Sequence, residues 1–118
     1  MANVPQQIKL HRKSRELSLH YKDGREHRLP AEFLRVYSPS AEVRGHGRGQ
    51  EVLQTGKLNV EIIDVKAVGN YALQLIFDDG HDSGIYSWDY LWHLGAKKDE
   101  IWRTYLDNLS KAGLSRNP

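Results

Sequence analysis

The sequence predicts an α+β fold: antiparallel β-hairpins in a meander, a short helix after the first hairpins, and a helical C-terminal region. Three observations carry this. Apolar and polar residues alternate through Ile8–Tyr21 and again through Tyr71–Phe77, the period of half-buried strands. Asp23-Gly24, Gly69-Asn70 and Asp78-Asp79-Gly80 supply, at the ends of such runs, residue types that tolerate the positive φ of tight turns. From Trp88 onward the apolar spacing becomes i, i+3, i+4, which is helical.

Ile8 and Leu10 begin the first strand, Arg12-Lys13-Ser14 breaks it, and Leu17, Leu19 and Tyr21 form the second. Arg25–Leu29 reads as a polar third strand near a sheet edge, where charge discourages pairing with another molecule. Pro30 suits the first position of a helix because its missing amide hydrogen has no partner there. Phe33, Leu34 and Tyr37 give that helix its apolar face, and Pro39 stops it by forcing Ser38 to extend. Between Glu42 and Gly56 the apolar periodicity disappears, so an exposed, mobile loop is expected, with Arg44-Gly45-His46-Gly47-Arg48-Gly49-Gln50 as its least self-organising part.

Val60–Val68 is β-branched and changes phase between Ile62 and Ile63, which predicts either a bulge or a strand covered on both faces. Tyr71, Leu73, Leu75 and Phe77 share one face of the next strand, and His81–Ile85 can run back beside it. Ser87 is placed to cap a helix whose first turn carries Asp89. Trp88, Leu91 and Trp92 fall on one face of that helix, and Gly95 is placed to end it in the left-handed conformation. A last helix from near Asp99 puts Ile101, Trp102, Tyr105, Leu106 and Leu109 on one face and ends at Gly113, leaving Arg116-Asn117-Pro118 to fray.

A chain of 118 residues with a formal net charge of +2 suits a single domain over 1–118, with a core at about 8–109 and a flexible loop at about 44–56. The small charge argues against a dedicated nucleic-acid binder. The absence of cysteine excludes disulfides, thiolate catalysis and cysteine-held metal. Nothing approaches the roughly 20 apolar residues of a membrane span, and Met1–Gln6 lacks a signal-peptide pattern. A cytoplasmic protein without membrane attachment is expected. The glycines at positions 45, 47 and 49 lack the Gly-Lys-Ser/Thr ending of a phosphate loop and follow no apolar strand.

Two segments resemble a known family. Leu34-Arg35-Val36-Tyr37-Ser38-Pro39-Ser40-Ala41-Glu42-Val43 and Asp79-Gly80-His81-Asp82-Ser83-Gly84-Ile85-Tyr86-Ser87-Trp88-Asp89-Tyr90-Leu91 look like the domain at the N-terminus of gamma-butyrobetaine hydroxylase. That domain also occurs as small free-standing bacterial proteins of unassigned function and fused to iron–sulfur cluster carriers. The resemblance spans roughly Ile8 to Leu109. It implies a partner in iron–sulfur carrier or 2-oxoglutarate oxygenase machinery. In the hydroxylases the domain holds a structural zinc through a Cys-Pro-Cys-x-x-Cys run and one histidine. The run corresponds to Ser38-Pro39-Ser40-Ala41-Glu42-Val43 and the histidine to His81, so the resemblance carries the fold across without the zinc. No bound cofactor is expected.

His81 is the candidate metal position, with Asp78, Asp79 and Asp82 near it in sequence; a structural histidine bonding across its turn is the plainer reading. Arg44, His46 and Arg48 are the candidate partner-binding residues, able to form charge-assisted bonds to an acidic surface. No acid–base pair has a spacing that specifies catalysis, so no enzyme is expected. The favoured function is a non-catalytic protein-interaction module associated with iron–sulfur or metal-cofactor machinery. The alternatives are a metal-binding domain using His81 with non-cysteine ligands and a weak RNA-binding protein that uses the dispersed Arg12, Lys13, Arg15, Arg44 and Arg48.

Overall fold

In the computed structural model, residues 3–45 and 52–118 are described. Strands β1 (Gln7–His11), β2 (Glu16–His20) and β3 (Glu26–Pro30) form one antiparallel sheet in that order. Leu10 faces Leu17, and Leu17 and Leu19 face Leu29 and His27, so the alternation read from the sequence sets the register. Gly24 takes φ 90° in the turn between β2 and β3. The third strand is an edge, as its charges suggest.

Helix α1 (Ala31–Val36) leaves β3 directly, with Pro30 as its N-cap, and is buried along its whole length. It lies too deep for an amphipathic surface helix, and its two charged residues are each neutralised from a distant segment. Glu32 accepts both Arg116 Nε and Nη2, at 2.7 and 2.6 Å, and Arg35 donates to Asp79 at 2.8 Å. A short helix α2 (Ala41–Arg44) follows inside the stretch expected to be irregular, nucleated by the Ser40 hydroxyl, which accepts from the Glu42 amide at 3.2 Å. His46, Arg48 and the rest of 46–51 lie outside the described residues. The two ends of that excursion meet where Val52 N donates to Val43 O at 2.7 Å.

The second sheet, β4 (Ile62–Val68), β5 (Ala72–Phe77) and β6 (Ile85–Ser87), is also antiparallel. The phase change is a bulge between Ile62 and Asp64. Leu73, Leu75 and Phe77 point into the core, while Tyr71 precedes the strand and is 58% exposed. The tight turn at Asp78-Asp79-Gly80 closes as expected, with Gly80 N donating to Phe77 O at 3.3 Å and Phe77 N to His81 O at 3.0 Å, but the return strand is shorter than expected: β6 begins only at Ile85, opposite Gln74, and residues 82–84 are irregular. The inner faces of both sheets share one core with Phe33, Leu34, Tyr86, Leu91 and Leu94.

Helix α3 (Trp88–Ala96) is capped by Ser87, whose hydroxyl accepts from Tyr90 N at 3.2 Å. Gly95 does not end it: the helix continues to Ala96 and its C-cap is Lys97 at φ −114°. A Cβ at Gly95 would lie 2.4 Å from the His27 ring, so this glycine serves the close approach of α3 to β3. Helix α4 (Lys98–Ala112) ends in a left-handed Gly113 at φ 67°, as its sequence indicates. Leu106, expected on its buried face, is 40% exposed. The residues after α4 do not fray. Gly56 N and Leu58 N donate to Ser115 O and Arg116 O, and the Arg116 guanidinium lies 5.2 Å from the Trp102 ring centroid while bound to Glu32. No described helix is long and apolar enough to cross a membrane.

Candidate functional site

The corner between α1 and α2 brings Ser38-Pro39-Ser40 against the turn and the irregular segment after β5. Phe77 N donates to His81 O at 3.0 Å, and Gly80 sits at φ 88°. Gln74 Nε2 holds Asp82 O from the strand at 2.8 Å. These bonds turn the His81 ring inward, where its side chain is 3% exposed.

The ring bridges two partners. Its Nδ1 lies 3.3 Å from Glu42 Oε2 and its Nε2 lies 2.8 Å from Ser38 Oγ. A carboxylate only accepts, so Nδ1 carries the proton and Nε2 accepts from the Ser38 hydroxyl. Ser38 Oγ also accepts from Ser40 N at 3.2 Å, and Ser40 Oγ meets Ser83 Oγ at 2.6 Å. Burial first, then the nearby Arg35 charge, pull the His81 pKa below its ordinary value, while Glu42 and Asp79 act in the opposite direction. The neutral ring is the form that this geometry uses.

The acidic turn does not gather round the imidazole. Asp78 Oδ1 accepts from Glu61 N at 3.0 Å. Asp79 accepts from Lys57 Nζ at 2.7 Å, from Arg35 Nε at 2.8 Å and from His81 N at 3.2 Å. Burial alone raises the Asp79 pKa, but these donors outweigh it and hold it at about 2. Among the described residues no group of three or more His, Asp or Glu side chains is placed to hold a metal ion.

The zinc implied by the sequence resemblance can be tested against the donors. Tetrahedral zinc needs four nitrogen, thiolate or carboxylate ligands. Of the four corresponding positions, His81 offers one ring nitrogen, and that nitrogen accepts from Ser38. Ser38 and Ser40 offer hydroxyls engaged with each other's segment and with Ser83, and Val43 is a buried apolar side chain. These residues do not fit zinc. Ser38, Ser40 and His81 close the same corner with hydrogen bonds.

Ser38, His81 and Glu42 also have the connectivity of a nucleophile, a base and an orienting acid. Reach is missing. Ser38 has 0% exposure, and a Cβ placed on Gly84 would sit 2.4 Å from Ser38 Oγ, so backbone lies where a substrate carbonyl would have to approach. The Tyr86 hydroxyl, donating to Leu34 O at 2.5 Å, closes the floor.

Of the partner-binding candidates, Arg44 is described. It is exposed at the end of α2, its guanidinium 5.8 Å from the Tyr90 ring centroid, and it stands at the mouth of a groove of about 660 Å³ between α1, α2, α3 and α4. The structure does not bring Arg44 to His81 through any described hydrogen bond. Sequence reasoning missed this groove and the Arg35–Asp79–Lys57 and Glu32–Arg116 pairs. The available signal was Glu32 and Arg35 inside an otherwise apolar six-residue helix, since buried charges require partners.

Two small antiparallel sheets sharing a core, with a polar corner closed by hydrogen bonds, define a compact α+β scaffold domain. The chain belongs to the gamma-butyrobetaine hydroxylase-like, N-terminal family, whose model matches residues 8–92. It is similar over its full length to two proteins with NMR solution structures. One has 53% identity, a TM-score of 0.87 and 93% of its own chain covered. The other has 47% identity, a TM-score of 0.83 and 87% covered. It is also similar to a crystallised protein of unknown function of the DUF971 family from Acidithiobacillus ferrooxidans, at 38% identity and a TM-score of 0.68, over 80% of this chain and 94% of that one. No curated protein matches.

Proposed function

We propose that the protein is a non-catalytic recognition module that binds a protein partner through the corner bearing Arg44. The observation that carries this reading is the contrast between two polar clusters that adjoin at Ser38, a buried residue that also backs the groove. The Ser38–His81 corner is buried and saturated with internal hydrogen bonds, whereas Arg44 stands exposed beside an open groove, two and four positions before His46 and Arg48 in the sequence. Arginine at an exposed rim forms charge-assisted bonds to carboxylates. The family resemblance directs the partner towards iron–sulfur carrier or 2-oxoglutarate oxygenase machinery, an argument from association.

The test compares capture from native cytosol by the wild-type chain and by the triple variant Arg44→Ser, His46→Ser, Arg48→Ser. Loss of a specific partner with an unchanged unfolding midpoint supports the reading. A triple variant that still captures every wild-type partner removes this corner from the functional account.

A further inference from the structure

The groove beside Arg44 has a defined chemistry. Its apolar wall is formed by Val36, Leu53, Tyr90, Leu94, Ile101 and Tyr105, and its volume of about 660 Å³ falls within the range of functional clefts, about 300–1,000 Å³. Three tyrosine hydroxyls lock the walls to one another. Tyr37, the C-cap of α1, donates to Ile101 O in α4 at 3.0 Å, Tyr90 from α3 to Tyr37 O at 2.6 Å, and Tyr105 from α4 to Gln54 O at 2.7 Å. The hydroxyls are thereby committed to the scaffold, and the rings form an apolar surface that is already ordered before anything binds, which lowers the entropy cost of association.

The electrostatics of the mouth are one-signed. Among the described lining residues no Asp or Glu occurs, Arg44 is the full cation, and Ser38, Gln54, His93, Thr104 and Asn108 are the other polar side chains. An occupant that matches this surface has a large apolar group beside a carboxylate.

We infer that the groove takes a peptide segment of the partner, laying one large apolar side chain against the half-buried Leu53, Tyr90 and Ile101 and setting a neighbouring carboxylate on Arg44. This rests on the protein-partner reading above and adds to it the chemistry that the partner must carry. The carboxylate meets the Arg44 guanidinium, which is held over the Tyr90 ring 5.8 Å from its centroid, and the apolar group lies deeper, against Leu53 and Ile101.

The experiment titrates the isotopically labelled full chain with two capped dipeptides, acetyl-Trp-Glu-amide and acetyl-Trp-Gln-amide, and follows backbone amide shifts. The expected result is saturable shifts at Leu53, Tyr90, Ile101 and Tyr105, with the glutamate probe binding about three- to tenfold more tightly, the range for one exposed charge-assisted bond. Arg44→Gln should erase that preference. Thr104→Trp, placed at an exposed position of α4 on the groove wall, should fill the groove and abolish the shifts. No shifts at millimolar probe, equal binding of the two dipeptides, or binding unaffected by Thr104→Trp would each overturn the inference. Tighter binding of free indole-3-propionate than of either dipeptide would also overturn it, in favour of a small-molecule site. Failure here with capture still lost in the triple serine variant keeps the recognition reading and removes only the groove. Probe binding together with undiminished capture by that variant removes the recognition reading instead.

Discussion

Adding one methyl group at Gly84 and removing one oxygen at Ser38 should be strongly coupled. The Cβ of Gly84→Ala would sit 2.4 Å from Ser38 Oγ and 3.1 Å from Tyr86 Cε1. Ser38 Oγ is held by the His81 ring and the Ser40 amide, so it cannot swing away without breaking a buried bond. Overpacking of this kind costs about 1–3 kcal/mol, reduced by about 0.4–1 kcal/mol because alanine restricts the unfolded chain. A net loss of about 1–2 kcal/mol is expected. Ser38→Ala alone leaves the buried His81 Nε2 without its partner, at a cost of about 1–3 kcal/mol. In the double variant the colliding oxygen is absent, so Gly84→Ala should add less than about 1 kcal/mol. The interaction energy is then on the order of 1 kcal/mol or more, readable as urea midpoints at constant m-value. Additivity within about 0.5 kcal/mol would refute the claim that Ser38 Oγ packs against Gly84.

Other outcomes follow from the same structure. Trp88→Ala should cost about 3–5 kcal/mol, because its ring is 9% exposed and its Nε1 donates to Asn70 O; Trp92→Ala, at a half-buried ring under Arg25, should cost about 1–3 kcal/mol, and equal midpoint shifts would contradict this ranking. Arg116→Ala leaves Glu32, with a side chain 8% exposed, unpaired; discounted for the partial exposure of the arginine, the loss should be about 1–3 kcal/mol in urea unfolding, and an unchanged midpoint would mean the C-terminal segment is not tied down. Stability should fall in two steps on acidification. His81 and His27 both have folded pKa values below the ordinary 6.5, so the unfolded chain binds protons first and stability is lost as pH falls from 7 towards those folded values. Asp79, at about 2 against an ordinary 3.8, gives a second loss between about pH 5 and pH 2, and an unfolding free energy that is flat from pH 7 to pH 3 would contradict both assignments.

Local chemistry was legible in the sequence where neighbours in the chain determine the result. The alternation of Leu17 and Leu19, the phase change at Ile62–Ile63, the Ser87 cap and the left-handed Gly113 all concern residues a few positions apart, and each is found. What escaped depends on distant partners. Gly95 reads as a helix stop, but its role is set by the His27 ring across the fold. Arg116 reads as a frayed end because nothing nearby in sequence holds it, and Glu32, 84 positions away, does. Tyr71 and Leu106 share the period of buried neighbours yet stand where no element covers them. The division into two sheets was likewise hidden, since strand pairing beyond a hairpin leaves no local mark. The candidate site was half visible. His81 could be aligned with Ser38 and Ser40 by resemblance, but the hydrogen bond joining His81 to Ser38 spans 43 positions, and the commitment of Asp79 to Arg35 and Lys57 was not readable from a run of acidic residues.

The central claim is that the Ser38–Ser40–His81 corner is closed by its own hydrogen bonds and holds the fold without metal, leaving Arg44 and its groove as the surface for recognition. It is tested most directly by measuring the metal content of the purified chain together with its urea midpoint before and after exhaustive chelation. The structure predicts less than a stoichiometric amount of zinc or iron and one unchanged midpoint. One tightly held metal ion per chain, with a midpoint that falls on chelation and returns when the metal is restored, would contradict it.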